Sequence, residues 1–364
     1  MGFARSDNSA VASGIERMRE LVVARGGYVH PAAAIEVRDG SLRVVCNAPL
    51  TSGELLFRVP DELLVPTGEL CWSDSEEIMQ LSRTPGHLDR DRAEMLGLFI
   101  TIYNASGKMD WVRNQPARVL GRDADLAAQL DLVRPRLAAR QLSAAAAFLE
   151  TRNYSGKSAQ AGLAEKACLL PLIDFMNHHT EGSPFQQGDG HLRVDRNSPN
   201  GSRECFVNYG KHRDPLGLAL SYGFLDRESP FAQSVPIAID LPGFGRLEVV
   251  GIRIGGNHLA SPPKVQFSDG GLTLSHLSGD VRSPHVLRAL LRLAMMASGK
   301  RRGIGDAVTE RALADLPAAI LAANRAKLDA FRTYLAARPE LALASLLSDA
   351  SLCQLANLET IFAV

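Results

Sequence analysis

Between Cys168 and Asp226 the chain carries two segments that constrain its fold more than any other stretch. The first is Leu169-Leu170-Pro171-Leu172-Ile173-Asp174-Phe175-Met176-Asn177-His178, an apolar run that ends on polar side chains. The second opens as Glu204-Cys205-Phe206-Val207-Asn208-Tyr209-Gly210 and closes as Leu218-Ala219-Leu220-Ser221-Tyr222-Gly223-Phe224. Cys205 to Val207 reads as a short buried strand and Leu216 to Ser221 as a short helix. Thr180 to Arg203 is polar and rich in Gly, Pro and Asn, which predicts a surface excursion between core strands.

Upstream, Gly14 to Ala24 reads as a helix, because Ile15, Met18, Leu21 and Val22 recur on one face and Gly26-Gly27 stops it. Residues 1–13 are polar and predict a flexible N-terminus. Leu42 to Cys46 and Glu54 to Val59 look like strands joined by the turn Pro49 to Gly53. Residues 73–154 read as mostly helical: Arg92 to Tyr103 sets Met95, Leu98, Phe99 and Ile102 on one face. Asp125 to Leu149 is alanine-rich, and Pro135 divides it into two helices. Trp111, between these helical stretches, reads as a core aromatic, and Gly156 to Ala164 as a polar loop.

Beyond Ser229 the pattern changes. Val235 to Ile239 and Leu247 to Ile252 are strand-like across Pro242-Gly243-Phe244-Gly245, and Val265 to Phe267 with Leu272 to Leu274 form another pair. Pro284 to Met296, Val308 to Ala337 and Leu341 to Phe362 read as amphipathic helices, giving residues 229–364 a strand-plus-helix character. The basic run Lys300-Arg301-Arg302 reads as a solvated loop.

Chain length and charge bound the function. At 364 residues there is room for two domains. Forty basic and forty acidic residues cancel, so no global field draws the chain to nucleic acid or an anionic membrane. Five scattered cysteines without a Cys-x-x-Cys pair argue against a disulfide framework and a thiolate zinc site. His178-His179 and His191 lack acidic or cysteine partners at ligand spacing, so no metal is expected. No apolar run approaches the ~20 residues that span a bilayer. The first residues lack a signal-peptide core. Met1-Gly2-Phe3-Ala4-Arg5-Ser6 formally fits a myristoylation pattern, which six residues match by chance often. The cytoplasm is the default reading.

Three motifs occur here in order: Pro171-x-x-Asp174-x-x-Asn177-His178, a strand ending in Tyr209-Gly210, and a short helix ending in Tyr222-Gly223-Phe224. Together they resemble the SET-domain methyltransferases, in the branch typified by the plant Rubisco large-subunit lysine methyltransferase. The resemblance extends faintly from about Gly14 to the C-terminus. It implies an α+β fold of short sheets: residues 14–72 and 155–228 form the two parts of the SET domain. A helical insert spans residues 73–154, and a mostly helical C-terminal domain over 229–364 helps dock the substrate.

The resemblance also implies S-adenosyl-L-methionine as cofactor and residue roles. Tyr222 matches the catalytic tyrosine, Tyr209 the tyrosine that closes the methyl or amine site, and Phe224 a channel wall. Asn177 and His178 match the pair that binds the cofactor's amino-acid and adenine portions, and Asp174 an acidic position supporting that loop. Arg152, in Arg152-Asn153-Tyr154, matches an arginine that helps hold the cofactor's carboxylate, for which a guanidinium fork suits. A glycine-rich approach to the cofactor falls on Gly40, Ser41 and Leu42, but here Ser41 and Arg43 stand at the glycine positions and Gly40 is one residue out of register. In the loop Lys211-His212-Arg213-Asp214-Pro215-Leu216, Asp214 stands where relatives have asparagine and bears on substrate binding.

Three functions follow. The first is methylation of a lysine, or a histidine, of a protein. The second is the same fold turned to a small-molecule acceptor, favoured by the departures at Ser41, Arg43 and Asp214. The third is a silent binding module, against which Tyr222 and Asn177-His178 count. Lysine, with a reference pKa of ~10.4, must lose its proton before accepting a methyl, and an apolar channel favours that loss.

Overall fold

The computed structural model describes residues 2–48, 51, 53–68, 70–83, 85–135, 142–152, 154–155, 167–210, 213–251 and 262–363, the side chains of residues 155 and 200 apart. The expected loop Gly156 to Ala164 lies outside them, as do Asn153, Lys211-His212, Ile252 and most of the turn Pro49 to Gly53. The chain divides into two compact units, Met1–Arg118 with Gln141–Gly210 and Val119–Arg140 with Lys211–Val364. The division differs from the one read from the sequence: it cuts the helical insert after Arg118 and places Tyr222 with the C-terminal unit.

The first unit is built of short sheets packed with helices. Its strands are β1 (Ala4–Arg5), β2 (Tyr28–Val29), β3 (Ala33–Arg38), β4 (Ser41–Cys46), β5 (Leu55–Pro60), β6 (Val65–Pro66), β7 (Tyr154–Ser155), β8 (Ala167–Leu169), β9 (Asn177–Ser183), β10 (Gln186–Gly188), β11 (His191–Asp195) and β12 (Phe206–Val207). They pair as β1-β3-β4, β10-β11-β5-β2, β12-β9 and β6-β8-β7. The two expected strands near residues 42–59 both form, but in different sheets. The hairpin partner of β4 is β3, with Arg38 opposite Ser41. Asp39 at φ 48° and Gly40 at φ 74° are the two turn residues, the left-handed pair that a two-residue hairpin of the right twist requires. Three consecutive buried residues, Ala33 to Ile35, erase the alternation that would announce β3.

Two further expectations are corrected. Residues 1–13 are not a flexible tail: β1 pairs with β3, and the Phe3 and Ala4 N–H groups donate to Glu16 at 3.1 Å. The first helix starts at Ser9, because the Asn8 side chain accepts from the Ala10 and Val11 N–H groups and caps it. Thr180 to Arg203 is no mere surface loop. It holds β10 and β11, and Leu192 and Val194 are fully buried against β5 while His191, Arg193 and Asp195 alternate with them.

Helix Arg90–Ala105 buries Met95, Leu96, Phe99, Ile102 and Tyr103, and is capped by Asp89. Among the described residues 73–89 form no helix, where helix was expected. Pro135 follows the first of the two alanine-rich helices, Ala124–Val133; the second, Ala144–Glu150, is capped by Ser143.

The second unit begins its long segment with helix Pro215–Tyr222, which Asp214 caps and Gly223 (φ 74°) ends. A four-stranded sheet follows in the order Ile237–Leu241, Gly245–Val249, Gly271–Leu274, Val265–Ser268. Helices Pro284–Arg301, Asp306–Ala336 and Ala344–Phe362 complete it. Lys300 and Arg301 end a helix rather than lying in a loop, where cations suit the helix dipole. Arg302 donates to the Phe244 and Asp269 carbonyls.

Asn324, fully buried in the long helix, accepts from the Val235 N–H at 2.9 Å and donates to Ser234 Oγ at 3.0 Å and the Ile320 carbonyl at 2.9 Å. Asn324→Ala strands the buried Val235 N–H just ahead of the sheet's edge strand, while the Ser234 hydroxyl keeps its bond to the Val235 carbonyl. It is expected to cost about 3 kcal/mol, read as a lower urea midpoint at unchanged m-value.

Candidate functional site

The site grows from the backbone of Leu170 to His178. After β8 the chain turns through Leu170-Pro171-Leu172, and Leu172, fully buried, sits at φ 64°. A bulky residue there is strained and persists because its surroundings enforce it. Asp174 supplies part of that enforcement: its Oδ2 accepts from the Leu170 N–H at 2.8 Å, and its own N–H donates to the Leu170 carbonyl at 2.9 Å. Burial pushes the Asp174 carboxyl up to about 7, against the opposing pull of Arg152 and the Leu170 N–H.

Arg152, just beyond helix Ala144–Glu150, reaches this turn from another part of the sequence. Its Nη1 donates to the Asp174 carbonyl at 2.9 Å and to the Tyr209 hydroxyl at 3.2 Å, and its guanidinium lies 5.5 Å from the Phe148 ring centroid. Burial works against the charge, but Tyr209, Tyr103 and Asp174 outweigh it, so the guanidinium pKa is raised. Tyr209 closes the circle. Its hydroxyl donates to the Met176 carbonyl at 2.7 Å, and its N–H donates to His178 Nδ1 at 3.0 Å. With Nδ1 an acceptor, the neutral His178 ring carries its proton on Nε2. Asn177 Nδ2 donates to Glu204 Oε1 at 2.7 Å, one residue ahead of Cys205.

Arg152, Asp174, Asn177, His178 and Tyr209 are therefore brought together in one unit. Gly40, Ser41 and Leu42 are not part of this bonded group. The close backbone approach at Gly40 is to Gly107, whose carbonyl oxygen would stand 2.7 Å from an added Cβ. Ser41 is exposed, Leu42 is a core residue, and Arg43 pairs with Glu36 along the hairpin at 2.9 Å.

In the second unit, Tyr222 ends its helix with Phe224 6.0 Å away ring to ring and the Arg213 guanidinium 5.2 Å from its centroid. Asp214 does not present itself to a substrate: it is fully buried, caps Gly217 at 2.6 Å, and pairs with Arg134. Its place before Pro215 is the ordinary sequence signature of a helix start.

Three residues near this chemistry were not singled out from sequence. Tyr103 is fully buried among Phe99, Phe148 and Phe175, and its hydroxyl has no hydrogen-bond partner among the described residues. Burial, then Asp174, raises its pKa well above the usual phenol value. Lys108 holds its ammonium 3.8 Å from the Trp111 ring centroid, and burial, then Arg152, lowers its pKa to about 7. Trp111 is thus a half-buried partner of a cation rather than a plain core aromatic. Glu204 anchors Asn177. The Lys108–Trp111 spacing of one helical turn is the signal that could have found that pair.

The group is one of positioning: fixed carbonyls, a hydroxyl held by donation to Met176, and a buried guanidinium. Because Asp174 holds its proton to about 7 when folded and to about 4 when unfolded, its contribution is fully present below about pH 4 and lost as pH rises through 7. Asp174→Asn keeps an oxygen for the Leu170 N–H and never ionises. Its stability relative to the native chain is expected to rise between about pH 5 and about pH 8, measured by urea unfolding at both.

No protein-family model matches the chain and no curated protein does. Among solved structures it is similar to the SET domain of LSMT bound to lysine and AdoHcy, at a TM-score of 0.44 and 14% identity over 96% of this chain and 91% of that one. It is also similar to Rubisco LSMT bound to AdoMet, at 0.44 and 13%, and to Rubisco LSMT bound to sinefungin and monomethyllysine, at 0.42 and 12%, with the same coverage.

Proposed function

We propose that this chain is an S-adenosylmethionine-dependent methyltransferase whose acceptor is a lysine side chain of a protein. The observation that carries the reading is the convergence of two distant sequence segments, the one at Arg152 and the one from Met176 to His178, on Tyr209. Its N–H meets His178, and its hydroxyl meets both Met176 and Arg152. Arg152 Nε is buried without a partner among the described residues, a donor of the kind a bound carboxylate would satisfy.

S-adenosylmethionine would supply an electrophilic methyl group. Arg152 would orient its carboxylate, with Asn177 and His178 beside it and Asp174 holding their loop. The Met176 carbonyl oxygen and the Tyr209 hydroxyl oxygen, held in place by the hydrogen bond the hydroxyl donates, suit weak C–H···O contacts through their remaining lone pairs to a polarised methyl. Positioning of this kind supplies rate without acid–base groups in the transfer step. Tyr222 and Phe224 enter the proposal through their motif: the tyrosine orients the amine and the phenylalanine walls its channel.

A second reading, a small-molecule acceptor, is favoured by one observation: Arg43, at a glycine position of the motif, is tied to Glu36 along the hairpin, and Ser41 replaces its companion glycine. Calorimetric titration with S-adenosylmethionine, S-adenosylhomocysteine and 5′-methylthioadenosine tests both. The proposal expects dissociation constants of about micromolar for the first two. Arg152→Met should weaken S-adenosylhomocysteine binding about tenfold or more and leave the nucleoside that lacks a carboxylate nearly unaffected. Methyl transfer to protein, lost in Tyr222→Phe, supports lysine methylation, and transfer to small amines alone supports the second reading. Absence of binding at millimolar ligand overturns both and leaves a protein-binding module.

A further inference from the structure

Cys46 and Cys205 are 159 residues apart in sequence, yet their sulfurs stand 3.2 Å apart in the core of the first unit. The backbone brings them there. Val45 bridges Glu204 in antiparallel fashion, the Cys205 N–H donates to the Val44 carbonyl at 2.8 Å, and the Cys46 N–H donates to the Arg203 carbonyl at 2.9 Å. The segment carrying Cys205 is thereby held as an extra pairing partner of β4, with both thiols on the same side of the contact. Ser198 Oγ lies 3.8 Å from the Cys205 sulfur and bonds the Glu204 carbonyl at 2.7 Å.

We propose that Cys46 and Cys205 form a redox modification site, a thiol pair that a small peroxide converts to an intramolecular disulfide and a thiol reductant restores. The inference stands apart from the methyltransferase reading. Cys205 is the attacking sulfur: the hydrogen bond from Cys46, aided by Ser198 and Arg196, brings its pKa down to about 7 against the effect of burial, while Cys46 is raised. The Cys205 thiolate attacks a peroxide oxygen, the O–O bond breaks, and the departing hydroxide takes up the thiol's proton as water. The Cys46 thiol then attacks the sulfenic sulfur; the S–S bond forms, the S–O bond breaks, and hydroxide leaves as water with the Cys46 proton. Two thiols lose two electrons and one peroxide becomes two waters. The sulfurs need only close to about 2.0 Å, a shift that side-chain torsions supply. The bond would lock β4 to the segment whose Glu204 holds Asn177.

The test uses the full chain. After hydrogen peroxide treatment under native conditions, it is alkylated in denaturant, digested and analysed by mass spectrometry. The expected product is a Cys46–Cys205 cross-linked peptide pair, two hydrogens lighter than its reduced parts and abolished by dithiothreitol. It should persist in a Cys71→Ser, Cys353→Ser double variant, since both of those cysteines are only partly buried. In Cys46→Ser, which keeps a hydroxyl donor beside Cys205, the cross-link should vanish and Cys205 should yield a dimedone-trapped sulfenic acid. Recovery of both thiols reduced after Cys71 and Cys353 have oxidised overturns the proposal. So does Cys205 found as sulfinic acid with Cys46 still a thiol in the native chain.

Discussion

The buried guanidinium of Arg152 is the interaction on which the candidate site depends. One nitrogen of it joins the Asp174 carbonyl to the Tyr209 hydroxyl, so it ties a strained turn to a distant aromatic. A charge in that position costs desolvation, which only hydrogen-bonded oxygens and nearby dipoles offset. Asp174 is its nearest acid, yet burial drives that carboxyl towards its neutral form, and its Oδ2 is spent on the Leu170 N–H. The result is a cationic, firmly positioned interior.

Lys108 extends the same electrostatics. Its ammonium faces the Trp111 ring, and Arg152 is a further cation that pushes its proton off. The Arg152 charge, with Lys108 only partly protonated and Asp174 partly neutral near pH 7, leaves this interior net positive and receptive to an anionic group. Tyr103, stacked among phenylalanines with an unpartnered hydroxyl among the described residues, marks the apolar wall of the region.

Much of this was legible in the sequence where local chemistry decides. Gly223 announces a helix end and Asp269-Gly270-Gly271 a strand turn; both occur. The residues at 174, 177, 178 and 209 lie together in the first unit. Signals failed where tertiary contacts overrode local pattern. Strand β3 shows no alternation because both of its faces are partly covered, β11 is hidden within polar sequence, and the polar first residues are ordered by Glu16 and β3.

The sequence by itself determined the neutral overall charge, the strand-plus-helix character of residues 229–364 and the spacing of the motif residues, since each depends on neighbours along the chain. Only the tertiary structure decided that Asp214 is a buried cap, that Gly40 meets Gly107, and that Lys108 sits on Trp111 beneath the influence of Arg152. It alone set Cys46 against Cys205. Burial and long-range pairing fix those facts, and both are properties of the packed chain: desolvation and contact depend on which distant segments exclude water from a side chain.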